Sequence, residues 1–428
     1  MKADFQSGRL LEAWLKDHVG FEFFKSGFAR SVELLTPYKT QFQNSKLKII
    51  TIGGTNGKGQ TCFELNALLQ NAGARTALWT SPHIRSVSER FVFLGEKLHE
   101  ATLLNLFKEQ WAKDNSREMS YYEFLMVCFC EQVLRTPNLD YLILEVGMGG
   151  RLDAVNVFDA DFAAITSISL DHTAVLGDHP LAILKEKWGI TRPHRPLVTA
   201  LSSLELRQAL ASWSEASEVP WLDLWQEGLL SENDDFRRCN QLTAALLFLW
   251  LQKGFENFSL KQSSNDLSIL LAIMEKGQLQ TPGRFEEMTL GSNRFIFIGS
   301  HNEDGLRKMV EYFQAGAGST EKIDEVWLSL STRPLPEAKA ALEVLLAGIS
   351  LSPVWSFCLF NHAKAMSASE LSQPPLAGLV KQLTGSESPF DLASLIKGLE
   401  SKGAAPRTLL VTGSYYFISE VQKSLFAL

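Results

Sequence analysis

Cysteine is scarce in this 428-residue chain: Cys62, Cys128, Cys130, Cys239 and Cys358 are scattered, odd in number and without a C-x-x-C pair. Such a set encodes neither a disulfide framework nor a zinc cage, and buried thiols in a reducing compartment are expected. Long apolar runs are missing too. The longest, Leu242 to Leu251, is too short to cross a bilayer, so no membrane partner is expected. The opening MKADFQSGRLLEAWLKDH has neither the apolar core nor the small-residue cleavage site of a secretory signal, which points to the cytoplasm. No block of Lys and Arg occurs, and the net charge is −7 with a pI near 5.7. That balance excludes a nucleic-acid footprint and leaves small acidic substrates to be met by local cations. There is no internal repeat, heptad or low-complexity tract. The loosest stretch, Ser367 to Ser388, is expected to be an exposed loop.

What is present is a soluble globular composition, 45% hydrophobic and 21% charged, in a chain too long for one core. After two helical stretches in residues 1 to 46, short apolar runs alternate with helical patterns: KLKIITI, Thr76 to Trp79, YLILEVG, FAAITSIS and RPLVTA. Continuous apolar runs of this length suit strands buried on both faces of a parallel sheet. Between them, TSPHIRSVSERFVFLGEKL reads as a loop, and helices are expected near Ala101 to Lys113 and Tyr122 to Leu134. The turn Thr281-Pro282-Gly283 interrupts the series, and a fresh alternation follows: RFIFIGSH, EVWLSLS, VWSFCLF and TLLVTGS. The expectation is an α/β protein: a P-loop-containing parallel-sheet domain over residues 1–282, with helices at its start, then a smaller Rossmann-like α/β domain over 283–428.

The stretch KLKIITI-GGTNGKGQT-CFELNALLQNAG runs from strand through glycines into a helix. Glycines permit the tight turn, while the first helical N–H groups and the positive end of the helix dipole converge on one point. That point suits a phosphate, and Lys58 adds a mobile charge. The loop Gly54, Thr55, Asn56, Gly57, Lys58, Gly59, followed by Gln60 and Thr61, departs from the strict Walker pattern. Ile52 stands where the first glycine would be, and Lys58 precedes Gly59 instead of Ser or Thr.

Other polar groups fall where buried strands end. Glu145 closes LILEVG, Ser81 and Pro82 open TSPH, and Asp171 and His172 follow ITSISL. Hard oxygen donors, an imidazole and a phosphate loop on one crest can hold Mg²⁺ against triphosphate oxygens. Each group also has a structural reading: a salt bridge for Glu145, a satisfied core histidine for His172, a helix cap for Ser81.

GTNGKG, TSPH followed by ER, LEVGMGGRLDAVN, SISLDHTAVLGD and KEKWGI stand in the order and spacing of folylpolyglutamate synthase/dihydrofolate synthase. The chain resembles that family, within the ATP-dependent Mur ligases, from near Gly27 to near Gly413. The resemblance implies a glutamate-ligase C-terminal domain, a monomer, and small-molecule partners: ATP, L-glutamate, and dihydropteroate or a reduced folate. It implies ATP phosphates on the glycine loop and Lys58, and Mg²⁺, two ions, held by Ser81, Glu145 and His172. Lys187 matches a lysine that the family carboxylates to hold the second ion. Arg284, in TPGR, resembles the family's arginine that reaches the phosphates, His301 belongs to its second-domain motif, and Asn240 resembles its adenine-side asparagine. Ser81, Pro82, His83, Phe124, Arg151 and Asp153 fall where the family shapes its pterin and carboxylate pocket. For Arg151 and Asp153 an ion pair locking the loop is the alternative, and for Phe124 a place in the core.

Two departures stand out. The serine usual after GTNGKG is Gln60 here, with Thr61 offering a hydroxyl to the metal through water, and the family's D-G-A-H-N-P reads Ile298-Gly299-Ser300-His301-Asn302-Glu303. Losing a charged hydrogen bond of about 1.5–3 kcal/mol predicts weaker nucleotide affinity. The expected reaction is ATP-dependent amide formation through an acyl phosphate. A Mur ligase acting on a UDP-muramyl substrate fits less well, because about 46 residues before the first strand fall short of a further domain. A divergent nucleotide-binding protein with weak or no catalysis is the rival from another class.

Overall fold

A computed structural model of the chain describes residues 2–21, 27–232, 234–254, 259–277, 281–314, 318, 320–352, 354–386, 388–399 and 405–426. Two compact units emerge, one of Ser7–Leu279 and one of Gln280–Leu428 grouped with Met1–Gln6.

The first unit is built on an eight-stranded sheet. Its strands are β1 (Lys48–Gly53), β2 (Thr76–Trp79), β3 (Phe91–Phe93), β4 (Glu96–Lys97), β5 (Tyr141–Glu145), β6 (Phe162–Ile165), β7 (Leu197–Thr199) and β8 (Trp221–Asp223). The order is β4-β3-β2-β5-β1-β6-β7-β8, parallel from β2 to β8, with β3 and β4 antiparallel at one edge. Alternate residues feed two cores. Ile49, Ala77, Trp79, Leu142, Leu144, Ala163 and Ile165 pack into one apolar cluster, and Ile50, Ile52, Leu78, Ile143, Ala164 and Val198 into the other. A period of two with both faces apolar is what makes these runs continuous in sequence. Helices cover both faces, Phe28–Gln43 and Tyr121–Arg135 on the first, Lys58–Asn71 and Phe236–Lys253 on the second.

β1 lies between β5 and β6, so the chain leaves it at the point where strand order reverses. A crevice at the carboxyl ends of the strands forms there in open α/β sheets.

Two stretches differ from expectation. TSPHIRSVSERFVFLGEKL is not a loop throughout: Ser86 and Glu89 form a capping box on a 3-10 turn, and β3 and β4 then make a hairpin across Leu94 and Gly95, both at positive φ. Glu89 also accepts from the Ile84 and Arg85 N–H groups, which folds the segment back on itself.

The second unit holds a six-stranded sheet of β9 (Arg284–Leu290), β10 (Asn293–Ile298), β11 (Glu325–Ser329), β12 (Trp355–Leu359), β13 (Phe390–Asp391) and β14 (Thr408–Gly413). The order is β13-β12-β11-β14-β10-β9, with only the β9–β10 pair antiparallel. Within Ser367 to Ser388, expected as a loop, Ser367 and Glu370 cap the helix Ala368–Leu371, and a second helix, Leu376–Thr384, buries Leu376, Val380 and Leu383. Serine and proline mark helix starts here, not disorder.

Among the described residues no helix is long and apolar enough to cross a membrane.

Candidate active site at the carboxyl edge of the first sheet

The loop after β1 is shaped by two glycines. Gly54 has φ +138°, and a Cβ there would lie 2.0 Å from Thr166 Oγ1. Gly57 caps the helix Lys58–Asn71 at φ +89°, and a Cβ on it would lie 2.1 Å from Asn240 Oδ1. Neither site tolerates a side chain, for reasons of both backbone angle and space.

The loop is stitched to the segment after β6. The Thr55 N–H donates to the Ser167 carbonyl at 2.7 Å, the Asn56 N–H to Ser167 Oγ at 2.9 Å, and the Ser169 N–H to Thr55 Oγ1 at 3.1 Å. Thr166 Oγ1 donates to the Asn56 carbonyl at 2.6 Å. The hydroxyls of ITSIS therefore hold the loop from beneath, a role the sequence reading did not give them. Small hydroxyl residues directly after a buried strand were the available signal.

Two lysines meet at one carbonyl. Lys58 Nζ donates to the Gly54 and Thr55 carbonyls, both at 3.0 Å, and Lys187 Nζ donates to the Gly54 carbonyl at 2.9 Å. Lys187 is only 4% exposed. Burial, and then the positive charge of Lys58, push its ammonium down from 10.5 to about 7. A buried lysine of this kind spends much of its time as a neutral, nucleophilic amine near neutral pH.

Glu145 ends β5 and is buried, with Oε2 accepting from the Ser81 N–H at 2.9 Å. Ser81 follows β2 and precedes Pro82 through a cis peptide bond. His172 lies on the loop after β6 in the left-handed region, φ 52°, with its ring 54% exposed and its N–H bonded to Asp171 Oδ1. Among the described residues no three His, Cys, Asp or Glu side chains converge as a metal cage. The donors present are a buried carboxylate at the end of β5, a neighbouring serine hydroxyl after β2, and an imidazole on the loop after β6, two strands along the same edge. That set fits a hard ion completing its shell with phosphate oxygens and water, as Mg²⁺ does.

Several residues expected at ligand contacts are held by bonds and packing within the protein. Asp153 does not pair with Arg151. Its carboxylate accepts from the Gly147, Met148 and Val155 N–H groups at 2.9–3.0 Å and from Tyr122 Oη, which locks the loop after β5. Burial raises its carboxyl above the usual aspartate range while those bonds pull it back. Arg151 is exposed and pairs with Glu186 at 2.9 Å. The loop-locking ion pair therefore exists, with a partner 35 residues away. Phe124 is fully buried among Trp14, Phe107 and Trp111, a core residue and not a wall of an open pocket. His83 has both ring nitrogens engaged, Nδ1 accepting from Arg90 Nε and Nε2 meeting Glu12, each at 2.9 Å. Thr61 is fully enclosed, and its Oγ1 makes no hydrogen bond among the described residues. Gln60 is buried and accepts from Asn240 Nδ2 at 2.8 Å.

Arg284 and His301 belong to the second unit, where Tyr415 joins them. The Arg284 guanidinium lies 5.3 Å from the Tyr415 ring centre, the His301 ring 5.5 Å from it, and Gly299 gives the ring room. Ile298, in place of an aspartate, is buried at the end of β10.

No family model matches the chain. Individual relatives do. A dihydrofolate synthase/folylpolyglutamate synthase of Bacillus subtilis is 26% identical over 446 residues, covering 96% of this chain and 98% of the relative. One from Buchnera aphidicola of Schizaphis graminum is 41% identical over 304 residues, 66% of each chain. A crystal structure of the bifunctional enzyme from Yersinia pestis, complexed with AMPPNP and a Mn ion, superposes with a TM-score of 0.72 at 25% identity, covering 97% of this chain and 98% of the other. The chain belongs to the dihydrofolate synthase/folylpolyglutamate synthase family. In this fold the stretches that carry the resemblance lie at the carboxyl edge of the first sheet, where Lys187 meets the glycine loop and Glu145, at the end of β5, meets Ser81.

Proposed function

We infer that this protein is an ATP-dependent amide ligase joining L-glutamate to dihydropteroate, to reduced folates, or to both. The observation that carries the reading is the glycine loop at the β5-β1-β6 reversal, with Lys58 and Lys187 both at its first carbonyl. Carboxylates do not condense with amines in water, since the amine only takes the acid's proton, so activation is needed. ATP meets that need by passing its γ-phosphoryl group to the substrate carboxylate; the glutamate amine attacks the acyl phosphate and expels phosphate as the amide forms.

Phosphoryl transfer depends mainly on positioning and electrostatics. The N–H groups at the start of Lys58–Asn71 and the Lys58 ammonium hold the phosphates in line. Glu145, Ser81 and His172 are the residues that would hold a divalent ion. Such an ion supplies neutralisation of charge on the triphosphate oxygens. For a second ion, Lys187 is the proposed ligand after carboxylation: its amine, near 7, attacks CO₂, loses a proton, and becomes an anionic carbamate. Arg284 and His301 are proposed to act in the same reaction, on the strength of the resemblance. We also propose, on the strength of the resemblance, a monomer acting in the cytoplasm without a membrane partner, and, from its negative charge and its lack of a basic block, without a nucleic-acid partner.

The rival, a nucleotide-binding protein without turnover, draws on Gln60 and Ile298. A coupled assay of ADP release separates the two. Release that requires both glutamate and a pterin-borne carboxylate supports the ligase, and release with neither, or none at all, overturns it.

A further inference from the structure

Arg284 opens β9 of the second unit at a break in the strand. β9 slips its register against β10 there: Ile298 pairs with Arg284 and Phe297 with Glu286, which leaves Phe285 as an extra residue between them. Phe285 takes a positive φ of 67°, a conformation costly to an aromatic residue, and its ring packs 5.0 Å from that of Tyr312. A bulge of this kind bends a strand end and re-aims a side chain. Glu286 locks it from inside: buried, it accepts from the Gly283 N–H at 3.0 Å and from Gln422 Nε2 at 2.9 Å. The Gly283 carbonyl accepts from the Gly299 N–H at 2.8 Å, which ties the turn to the end of β10.

The locked turn lays Arg284 over Tyr415, the residue that opens the helix Tyr415–Phe426 after β14. β14 runs beside β10, with Thr412 opposite Ile298, so Gly299 and Tyr415 leave neighbouring strands at one edge. A Cβ on Gly299 would lie 2.0 Å from Tyr415 Cε1. Glycine is needed there for space, because any side chain would displace the ring that the guanidinium lies over. A ring face holds a guanidinium by its plane and, unlike a carboxylate, does not cancel its charge.

We propose that Tyr415 is a positioning residue for Arg284: its ring, admitted by Gly299, holds the guanidinium in the orientation used in phosphoryl transfer. This rests on the reading of Arg284 as acting in the ligase reaction.

The test compares Tyr415→Phe, Tyr415→Leu, Gly299→Ala and Arg284→Met in the full chain, by steady-state ADP release and by the Arg284 Nε–H resonance of the nucleotide-free protein, with thermal midpoints alongside. The resonance is assigned by its loss in Arg284→Met. Tyr415→Leu and Gly299→Ala are expected to lower kcat about tenfold, or ~1.4 kcal/mol, within the range of a cation–π contact. Both should also move the resonance downfield as the ring current is lost. Tyr415→Phe keeps the ring face, and with it the rate and the resonance. Added to Arg284→Met, Tyr415→Leu lowers kcat no further, because the ring acts through the guanidinium, whereas a merely structural tyrosine would give losses that add. A rate and resonance unmoved by Tyr415→Leu, a Tyr415→Phe as slow as Tyr415→Leu, or additive losses overturn the proposal while the ligase reading stands. So does an Arg284→Met as active as the wild type. Should Tyr415→Leu fail to fold, Gly299→Ala decides. A wild type that releases no ADP with glutamate and a pterin-borne carboxylate overturns both this inference and the ligase reading.

Discussion

Replacing Glu145 by glutamine separates the chemistry of the crest from its architecture. The side chain is 2% exposed and accepts from the Ser81 N–H at 2.9 Å. Glutamine has nearly the same volume and keeps a carbonyl oxygen for that bond, so no cavity opens. Hydrogen bonds to a charged group are worth ~1.5–3 kcal/mol and neutral ones ~0.5–1.5 kcal/mol, so the exchange weakens this bond by about 1 kcal/mol. The lower cost of burying an amide than a carboxylate offsets part of that. Folding stability is therefore expected to change by about 1 kcal/mol or less. Turnover is another matter, because the negative charge that would hold the divalent ion is gone. A bound metal stabilises the transferring phosphoryl by several kcal/mol, and about 4 kcal/mol corresponds to a rate loss of roughly 10³-fold. The assay is ADP release at saturating substrates over a Mg²⁺ titration, with urea unfolding run beside it. A variant that unfolds at nearly the wild-type midpoint yet turns over a thousandfold more slowly supports the assignment. One retaining a tenth or more of the activity at ordinary Mg²⁺ refutes it.

The stability of the nucleotide-free protein is expected to depend on Lys187. Its folded value near 7 lies below the 10.5 of a free lysine. Between those pH values the unfolded chain carries the proton and the folded chain does not, so stability rises with pH from about 7 to about 10.5. Urea midpoints measured in CO₂-free buffer should show that slope in the wild type and lose it in Lys187→Met. Gly54→Ala forces a side chain into a conformation reserved for glycine, at a cost of ~1–3 kcal/mol. It also drives a Cβ toward Thr166 Oγ1 and the Thr166 backbone N. Scanning calorimetry should record a lower midpoint and titration a loss of AMPPNP binding. Phe124→Ala should cost ~3–5 kcal/mol in urea unfolding, as a buried aromatic does, while KM for the pterin substrate stays unchanged in the folded protein.

The sheet was legible because both faces of its central strands are buried, which turns β1, β5 and β6 into short unbroken apolar runs. The glycine loop was legible because close packing against Thr166 and Asn240 admits no other residue. Chemistry at the strand ends was legible as residue types, not as contacts. Arg151 and Asp153 sit two apart and invite pairing, yet Glu186 and a set of backbone N–H groups claim them, since a partner distant in the chain leaves no local trace. Phe124 illustrates another limit: an aromatic on an apolar helix has the same pattern whether it faces a ring of the protein or of a ligand. The segment from Ser367 misled through composition, because its serine and glutamate form a capping box that a tally of small polar residues reads as a loop. The shared carbonyl of Lys58 and Lys187 joins residues 129 positions apart and needed the fold to be seen.

The central claim is that ATP activates the acid substrate as an acyl phosphate, and oxygen transfer tests it most directly. With dihydropteroate labelled by ¹⁸O in its carboxyl group, ATP and L-glutamate, one labelled oxygen should appear in each phosphate released, read by mass spectrometry alongside the glutamylated product. Product formed while the phosphate stays unlabelled would contradict the account.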